Sequence, residues 1–187
     1  MLKFFSGLFG CFSRPSERTL PLFDRAEQKL LTSLHATISG DKIKVPIAAL
    51  QTPIYKPKWH NNQPCLALES NNASKGEKLC MQILSKIYKK PFCRVRPDFL
   101  KNPETGRNLE LDIFNSELGI ACEYNGKQHY AFPSFPGHTR KDFIKGLRKD
   151  LYKIKTCKKL GIYLIVVPYT VKEENMEEYI RSRLPGR

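Results

Sequence analysis

Two acids break otherwise apolar runs in this chain: Asp112 in Leu-Glu-Leu-Asp-Ile-Phe and Glu123 in Ile-Ala-Cys-Glu-Tyr-Asn-Gly. A carboxylate inside such a run is costly unless it is paired or holds a cation. Asn115-Ser-Glu-Leu118 between them reads as the short connection of a hairpin, which brings the two acids close together across it. Neighbouring carboxylates repel and share a proton unless a divalent ion binds between them. A salt bridge to one of the many Lys and Arg side chains explains either acid alone. Both together, followed by the polar cluster Asn125-Gly-Lys-Gln-His129, point to a metal site. Glu110 shares the strand parity of Asp112 and is its understudy. His129 has the side chain whose unperturbed pKa suits proton transfer, although contact with a phosphate or with a ligand residue is the readier role.

The elements that must carry these residues are legible from periodicity. Ser74-Lys-Gly-Glu77 is a capping box opening a helix with Cys80, Ile83, Leu84, Ile87 and Tyr88 on one stripe, and Pro91 stops it. The capping box by itself accounts for Glu77. Strands are expected over residues 92–96, 109–114 and 119–124, and a second helix over 139–160, with Ile144, Leu147, Leu151 and Ile154 inward. The run Gly161-Ile-Tyr-Leu-Ile-Val-Val-Pro168 reads as a strand covered on both faces, and a last helix follows over 172–183. The order is α-β-β-β-α-β-α, a mixed sheet flanked by helices in the α/β class. Before it, residues 22–39 read as a helix stopped at Gly40, and residues 41–63 as an extended, proline-containing arm with Trp59 as an anchor. Asn71-Asn72 closes the arm, so residues 1–70 are expected as an N-terminal helical and extended piece and 71–187 as the main domain.

Charge narrows the function further. The chain of 187 residues carries 32 Lys and Arg against 18 Asp and Glu, a formal net charge of +14. Such a surplus suits a polyanion, nucleic acid before an anionic membrane. The helix over 139–160 concentrates it, with Lys141, Lys145, Arg148, Lys149, Lys153, Lys155, Lys158 and Lys159 against Asp142 and Asp150. That excess favours a phosphate-tracking surface over a merely solvated face. Asp150 and Lys153, one turn apart, are spaced to pair with each other. Arg94, Arg96, Lys101 and Arg107 form a second basic group, and the aromatic loop over 132–138 either packs or stacks on bases. The six scattered cysteines show no metal-ligand spacing and read as reduced core residues of an intracellular, reducing compartment. The aromatic start, residues 1–12, is too broken by Ser6, Gly7 and Gly10 for a signal peptide. It is expected as a tail, with membrane docking through Cys11 acylation as the lesser alternative. No run reaches the ~18 apolar residues of a bilayer span.

Taken together, Ser74-Lys-Gly-Glu77, Leu-Glu-Leu-Asp112-Ile-Phe, Glu123-Tyr-Asn-Gly-Lys-Gln-His-Tyr130 and Arg148-Lys-Asp150-Leu-Tyr-Lys153 resemble the PD-(D/E)xK, or restriction-endonuclease-like, nucleases. Within these, the chain resembles the small branch similar to very-short-patch-repair endonucleases, over about residues 74–171. The resemblance implies a four-stranded mixed sheet between helices, with Glu77, Asp112 and Glu123 binding Mg²⁺ or Mn²⁺ and the Tyr124 carbonyl as an extra ligand. It implies hydrolysis of DNA phosphodiesters for repair, recombination or restriction. The chain departs from the motif at Asn125, where the superfamily has its lysine. In this branch a glutamine, here Gln128, takes that place, with Lys127 or Lys153 as alternative sources of the charge. Glu77, Asp112, Glu123, Gln128 and Lys153 are thus the expected catalytic set. Lys127, His129, Lys141, Lys145, Arg148 and Lys149 are the expected nucleic-acid contacts. Pro97-Asp98 spells the first motif literally but falls too close to the next Glu-x-Asp. A catalytically silent nucleic-acid-binding protein of the same fold, and an RNA endonuclease, remain as alternatives.

Overall fold

A computed structural model describes residues 25–55, 57–58 and 73–185. The tail at residues 1–12, Trp59 and Asn71-Asn72 lie outside the described residues.

The two long helices of the main domain start where a side chain can satisfy free backbone N–H groups. Helix α2 (Lys75–Tyr88) is capped by Ser74, whose Oγ accepts from the Glu77 N–H at 3.2 Å. Helix α3 (Arg140–Leu160) is capped by Thr139, which accepts from the Asp142 N–H at 3.1 Å, and ends at Gly161 in a left-handed conformation. The strands between them are β3 (Cys93–Val95), β4 (Leu111–Asn115) and β5 (Ile120–Asn125), and β7 (Tyr163–Pro168) follows α3. They form a mixed sheet of order β3-β4-β5-β7, antiparallel except for the parallel β5–β7 pair. The parallel pair follows from the α3 crossover, since strands joined through a helix return in the same direction. The last helical segment is split into a 3₁₀ turn (Glu173–Asn175) and α4 (Met176–Ser182). The chain is therefore α/β, a four-stranded mixed sheet flanked by helices.

Alternation along the central strands divides the core in two. Ile120, Cys122, Ile165 and Val167 pack with Cys80, Ile83 and Leu84 of α2 and Ile180 of α4. Ala121, Leu164 and Val166 pack on the opposite face with Cys157 of α3. Glu123 has the parity of Ala121 and so faces α3. Cys80, Cys122 and Cys157 are free and buried, as expected of core cysteines. Among the described residues no helix is long and apolar enough to cross a membrane.

The N-terminal piece differs from its expectation. Helix α1 (Arg25–Ser33) stops well before residue 39, because His35 takes a left-handed φ of 51° and turns the chain. Ile38 lies in a short strand, β1 (Thr37–Ser39), which pairs antiparallel with β2 (Lys42–Lys44). Gly40, at φ 55°, is the turn of that hairpin and not a helix stop. β2 pairs in turn with β6 (Ala131–Phe132), directly after the polar cluster that follows Glu123. Leu31, Leu34, Ile43, Val45 and Leu50 share one buried cluster with Tyr130, Phe143, Ile144 and Leu147. Residues 25–50 are thus packed onto α3 and brace the chain leaving β5.

Candidate functional site

The β4–β5 register pairs Ile113 with Cys122, which puts Asp112 beside Glu123. The contact is direct: the Asp112 N–H donates to Glu123 Oε1 at 3.3 Å. A register irregularity between β3 and β4 lies at this same end of the strand, where Val95 pairs with Leu111 and Cys93 with Phe114. Irregularities of this kind re-aim side chains and end pairing.

Glu123 is 5% exposed and its other oxygen, Oε2, accepts from Lys153 Nζ at 2.5 Å. Lys153 comes from α3, thirty residues further along the chain. Burial pushes the Glu123 carboxyl up, against the pull of the Lys153 charge. Burial works in the opposite direction on Lys153, but Glu123 and Asp112 hold its ammonium above the ordinary lysine value. Asp112 makes no hydrogen bond or ion pair through its carboxylate among the described residues. Burial first, then the Glu123 charge, push it up to about 8. With one ammonium beside them the two acids do not both ionise readily, and a divalent cation is the group that would let them. In that respect Asp112 and Glu123 fit a metal.

Glu77 fits it less well. Its carboxylate is engaged by Ser74 Oγ at 3.0 Å and by Arg94, which also lies 3.4 Å from Glu110. Its charge still reaches Asp112, and that of Glu110 does too. Glu110, the understudy, is committed to Arg94 and to Arg96 at 3.0 Å. Tyr124 turns its ring to the α2 side, so close to Gly76 that a Cβ there would stand 2.5 Å from ring carbons. Only the main chain of Tyr124 is left for the site. Among the described residues no group of three or more His, Cys, Asp and Glu side chains is gathered so as to hold an ion.

The pairing expected between Asp150 and Lys153 does not form. Asp150, 7% exposed, meets His129 Nδ1 at 2.7 Å, while Lys153 meets Glu123. Burial lowers the His129 pKa, but the hydrogen bond and charge of Asp150 outweigh it and the net direction is up. Helical spacing alone misses this role of Asp150, although the sequence carries a signal for it. Asp150 lies on the stripe of Phe143, Leu147 and Cys157, where a carboxylate needs a partner. Gln128 is exposed and folds back on its own backbone, its amide where a Gly126 Cβ would be. It makes no contact with Asp112, Glu123 or Lys153 among the described hydrogen bonds. Lys127 is likewise exposed, in the 3₁₀ turn Lys127–His129. Asn125 ends β5 and is buried. Asp98 accepts from Asn108 Nδ2 at 2.7 Å, a structural role for the Pro97-Asp98 pair.

Beside the acids lies a cleft of about 650 Å³. Lys145, Lys149 and Lys153 line it from α3, Arg96, Arg107 and Asn108 from the chain entering β4, and Glu110 and Asp112 belong to its lining. Arg148 lies in a neighbouring hollow with Lys145, Lys149 and Tyr152, and Lys141 is exposed near the start of α3.

No family model and no solved structure matches the chain. Uncharacterized protein 094L of Frog virus 3 (isolate Goorha) is 46% identical over 112 residues, covering 59% of this chain and 71% of that protein. The chain belongs to the same family as that protein. Uncharacterized protein 033L of Invertebrate iridescent virus 3 is 41% identical over 111 residues, 59% of this chain and 57% of that protein. Uncharacterized protein 307L of Invertebrate iridescent virus 6 is 38% identical over 128 residues, 59% of this chain and 63% of that protein. The match to each of these last two spans less than two thirds of their length.

Proposed function

We propose that this chain is a metal-dependent nuclease of restriction-endonuclease-like fold that hydrolyses phosphodiester bonds, with DNA as its first candidate substrate. One observation carries the reading: Asp112 and Glu123 from adjacent strands and Lys153 from the crossover helix converge beside a basic cleft. The four-stranded mixed sheet between helices supports it, because this is the sheet the motif resemblance implies.

Asp112 and Glu123 would hold Mg²⁺ or Mn²⁺, which supplies Lewis-acid neutralisation of the phosphodiester's charge. Lys153 is the candidate for the charge missing at Asn125. The ammonium that the motif carries two residues after its glutamate arrives here from α3 and reaches the same carboxylate. Its place beside Glu123 and in the cleft lining suits it to meet a phosphate oxygen and stabilise charge that develops in the transition state. Asp150 fixes the ring of His129 through Nδ1, leaving Nε2 as the ring's other polar atom.

Purified protein incubated with DNA and RNA substrates in Mg²⁺, Mn²⁺ or EDTA tests the reading. Cleavage is expected only with metal, and Glu123→Gln should reduce it by several orders of magnitude while binding survives. Lys153→Ala should lose turnover at unchanged affinity, and Gln128→Ala should lose little. A Glu123→Gln protein that cuts at the wild-type rate removes the site. A second reading, a catalytically silent nucleic-acid-binding protein, draws on the engagement of Glu123 by Lys153 and of Glu77 by Arg94. It predicts no cleavage in any arm.

A further inference from the structure

Three of the four acids around Asp112 have both carboxylate oxygens engaged by the chain's own donors. Ser74 Oγ donates to Glu77 Oε1 at 3.0 Å, and Arg94 takes Glu77 Oε2. Glu110, just before β4, has Oε1 3.4 Å from Arg94 Nε and Oε2 3.0 Å from Arg96. Glu123 accepts from the Asp112 N–H with one oxygen and from Lys153 with the other. The fourth acid, Asp112 itself, has a carboxylate without such a donor among the described residues, and the charges of Glu123, Glu77 and Glu110 all reach it.

Arg94 links two of these acids. It comes from the middle of β3, its side chain is 12% exposed, and it reaches Glu77 of α2 and Glu110 beside β4. Its Nε is buried and makes no hydrogen bond among the described residues, so Glu110 holds it by charge and Glu77 by direct contact. Glu77 does not depend on this partner. The N-terminus of a helix favours an anionic side chain in its first turn, and Ser74 donates to Glu77 as well. Arg96 is different: it is 61% exposed, and its hold on Glu110 is that of a surface pair. A guanidinium fork and a divalent ion compete for the same carboxylate oxygens.

We propose that Arg94 is a resident cation that competes with the divalent ion, holding Glu77 and Glu110 away from Asp112 and Glu123 and keeping metal binding weak. The proposal rests on the reading of Asp112 and Glu123 as metal-binding acids. It accounts for two acids standing within electrostatic reach of Asp112 while no three are gathered for an ion among the described residues. Removing Arg94 would act in two ways: it frees Glu77 to become a ligand, and it withdraws a positive charge that repels the ion. At an effective permittivity of ~20, one unit charge ~10 Å from a divalent ion changes its affinity by about tenfold or more. The opposite role, in which Arg94 orients Glu77 as a ligand, predicts the opposite sign, because groups that fix a ligand raise metal affinity.

Isothermal titration calorimetry of the full chain with Mn²⁺, in the absence of nucleic acid, tests this. Arg94→Met should bind Mn²⁺ about tenfold or more tightly than wild type. Glu77→Gln should then cost about tenfold more affinity in the Arg94→Met background than in wild type, because only there is Glu77 a ligand. Asp112→Asn should lose binding in either background, which places the ion at these acids. Arg94→Gln, which can still donate to one acid, serves as the second variant should Arg94→Met fail to fold, with a gain of the same sign. Unchanged or weaker Mn²⁺ binding on loss of Arg94 overturns the proposal and leaves the nuclease reading standing. Equal costs of Glu77→Gln in the two backgrounds do so too, since Arg94 would then act through its charge alone. So does a Glu77→Gln protein, with Arg94 in place, that loses Mn²⁺ as fully as Asp112→Asn, since Glu77 would already be a ligand. Binding of Mn²⁺ by none of these proteins overturns the metal site and the proposal with it.

Discussion

Replacing Lys153 by Met keeps most of the side-chain length and removes the charge that compensates Glu123. The side chains are 14% and 6% exposed and the ion pair is 2.5 Å long, so solvent can take little of the vacated role. Breaking a buried pair by removing one partner typically costs about 3–5 kcal/mol, because the remaining charge is left buried and unmatched. For a domain of this size that corresponds to roughly 6–20 °C in Tm. The penalty should depend on pH. Burial already raises the Glu123 pKa and Lys153 opposes it, so the variant raises it further. An acid whose folded pKa is raised contributes stability below its unfolded value, near about 4.3, and loses it as pH rises through the folded value. The deficit of Lys153→Met should therefore grow between pH 5 and pH 8. Adding Glu123→Gln should recover most of it, since neither charge remains. Urea unfolding at both pH values, on wild type, both single variants and the double, gives the coupling directly. A deficit under about 1 kcal/mol, or one flat with pH, would mean that the pair behaves as an exposed one and that the buried-site argument fails.

Two other predictions address neighbouring parts of the site. Asp150→Asn removes the interaction that raises His129 while leaving its burial, so the His129 pKa should fall below 6.5, followed by NMR of the ring protons. In wild type the stabilisation from that raised His is present below about 6.5 and lost as pH rises through the folded value, and the variant should lack this loss; an unmoved His129 titration would remove Asp150 as its partner. Gly76→Ala normally favours a helix by about 1 kcal/mol, but here the new Cβ would stand 2.5 Å from the Tyr124 ring. It should destabilise by about 1–3 kcal/mol, with relief in Tyr124→Ala, and a stabilised Gly76→Ala would contradict the packing of α2 on β5.

Much of the scaffold is written in local chemistry. The Ser74 and Thr139 caps, Pro91, Gly161 and the apolar periodicities locate α2, α3 and the four main strands to within a few residues. Asp112 and Glu123 are legible for a related reason. They are exceptions to a strand's apolar pattern, and a two-strand hairpin with a short turn leaves few registers in which they do not meet. The N-terminal piece is less legible. The left-handed turn at His35 has no strong propensity signal, and the short β1 and β2 are stabilised by β6, whose residues lie far along the chain.

What the sequence by itself determined is the kind of site: two carboxylates on adjacent central strands, with a large cationic surplus on one following helix. Only the tertiary structure decided who meets whom. Local spacing offered Asp150 to Lys153, and the motif resemblance offered Gln128 for the lysine's place. Packing α3 across the sheet instead carried Lys153 to Glu123 and Asp150 to His129, and it left Gln128 in solvent. The physical reason is that an i,i+3 pair on a helix surface is worth only about 0.2–0.5 kcal/mol. A buried carboxylate left without a partner costs several times that, so burial and not proximity along the chain chose the partners.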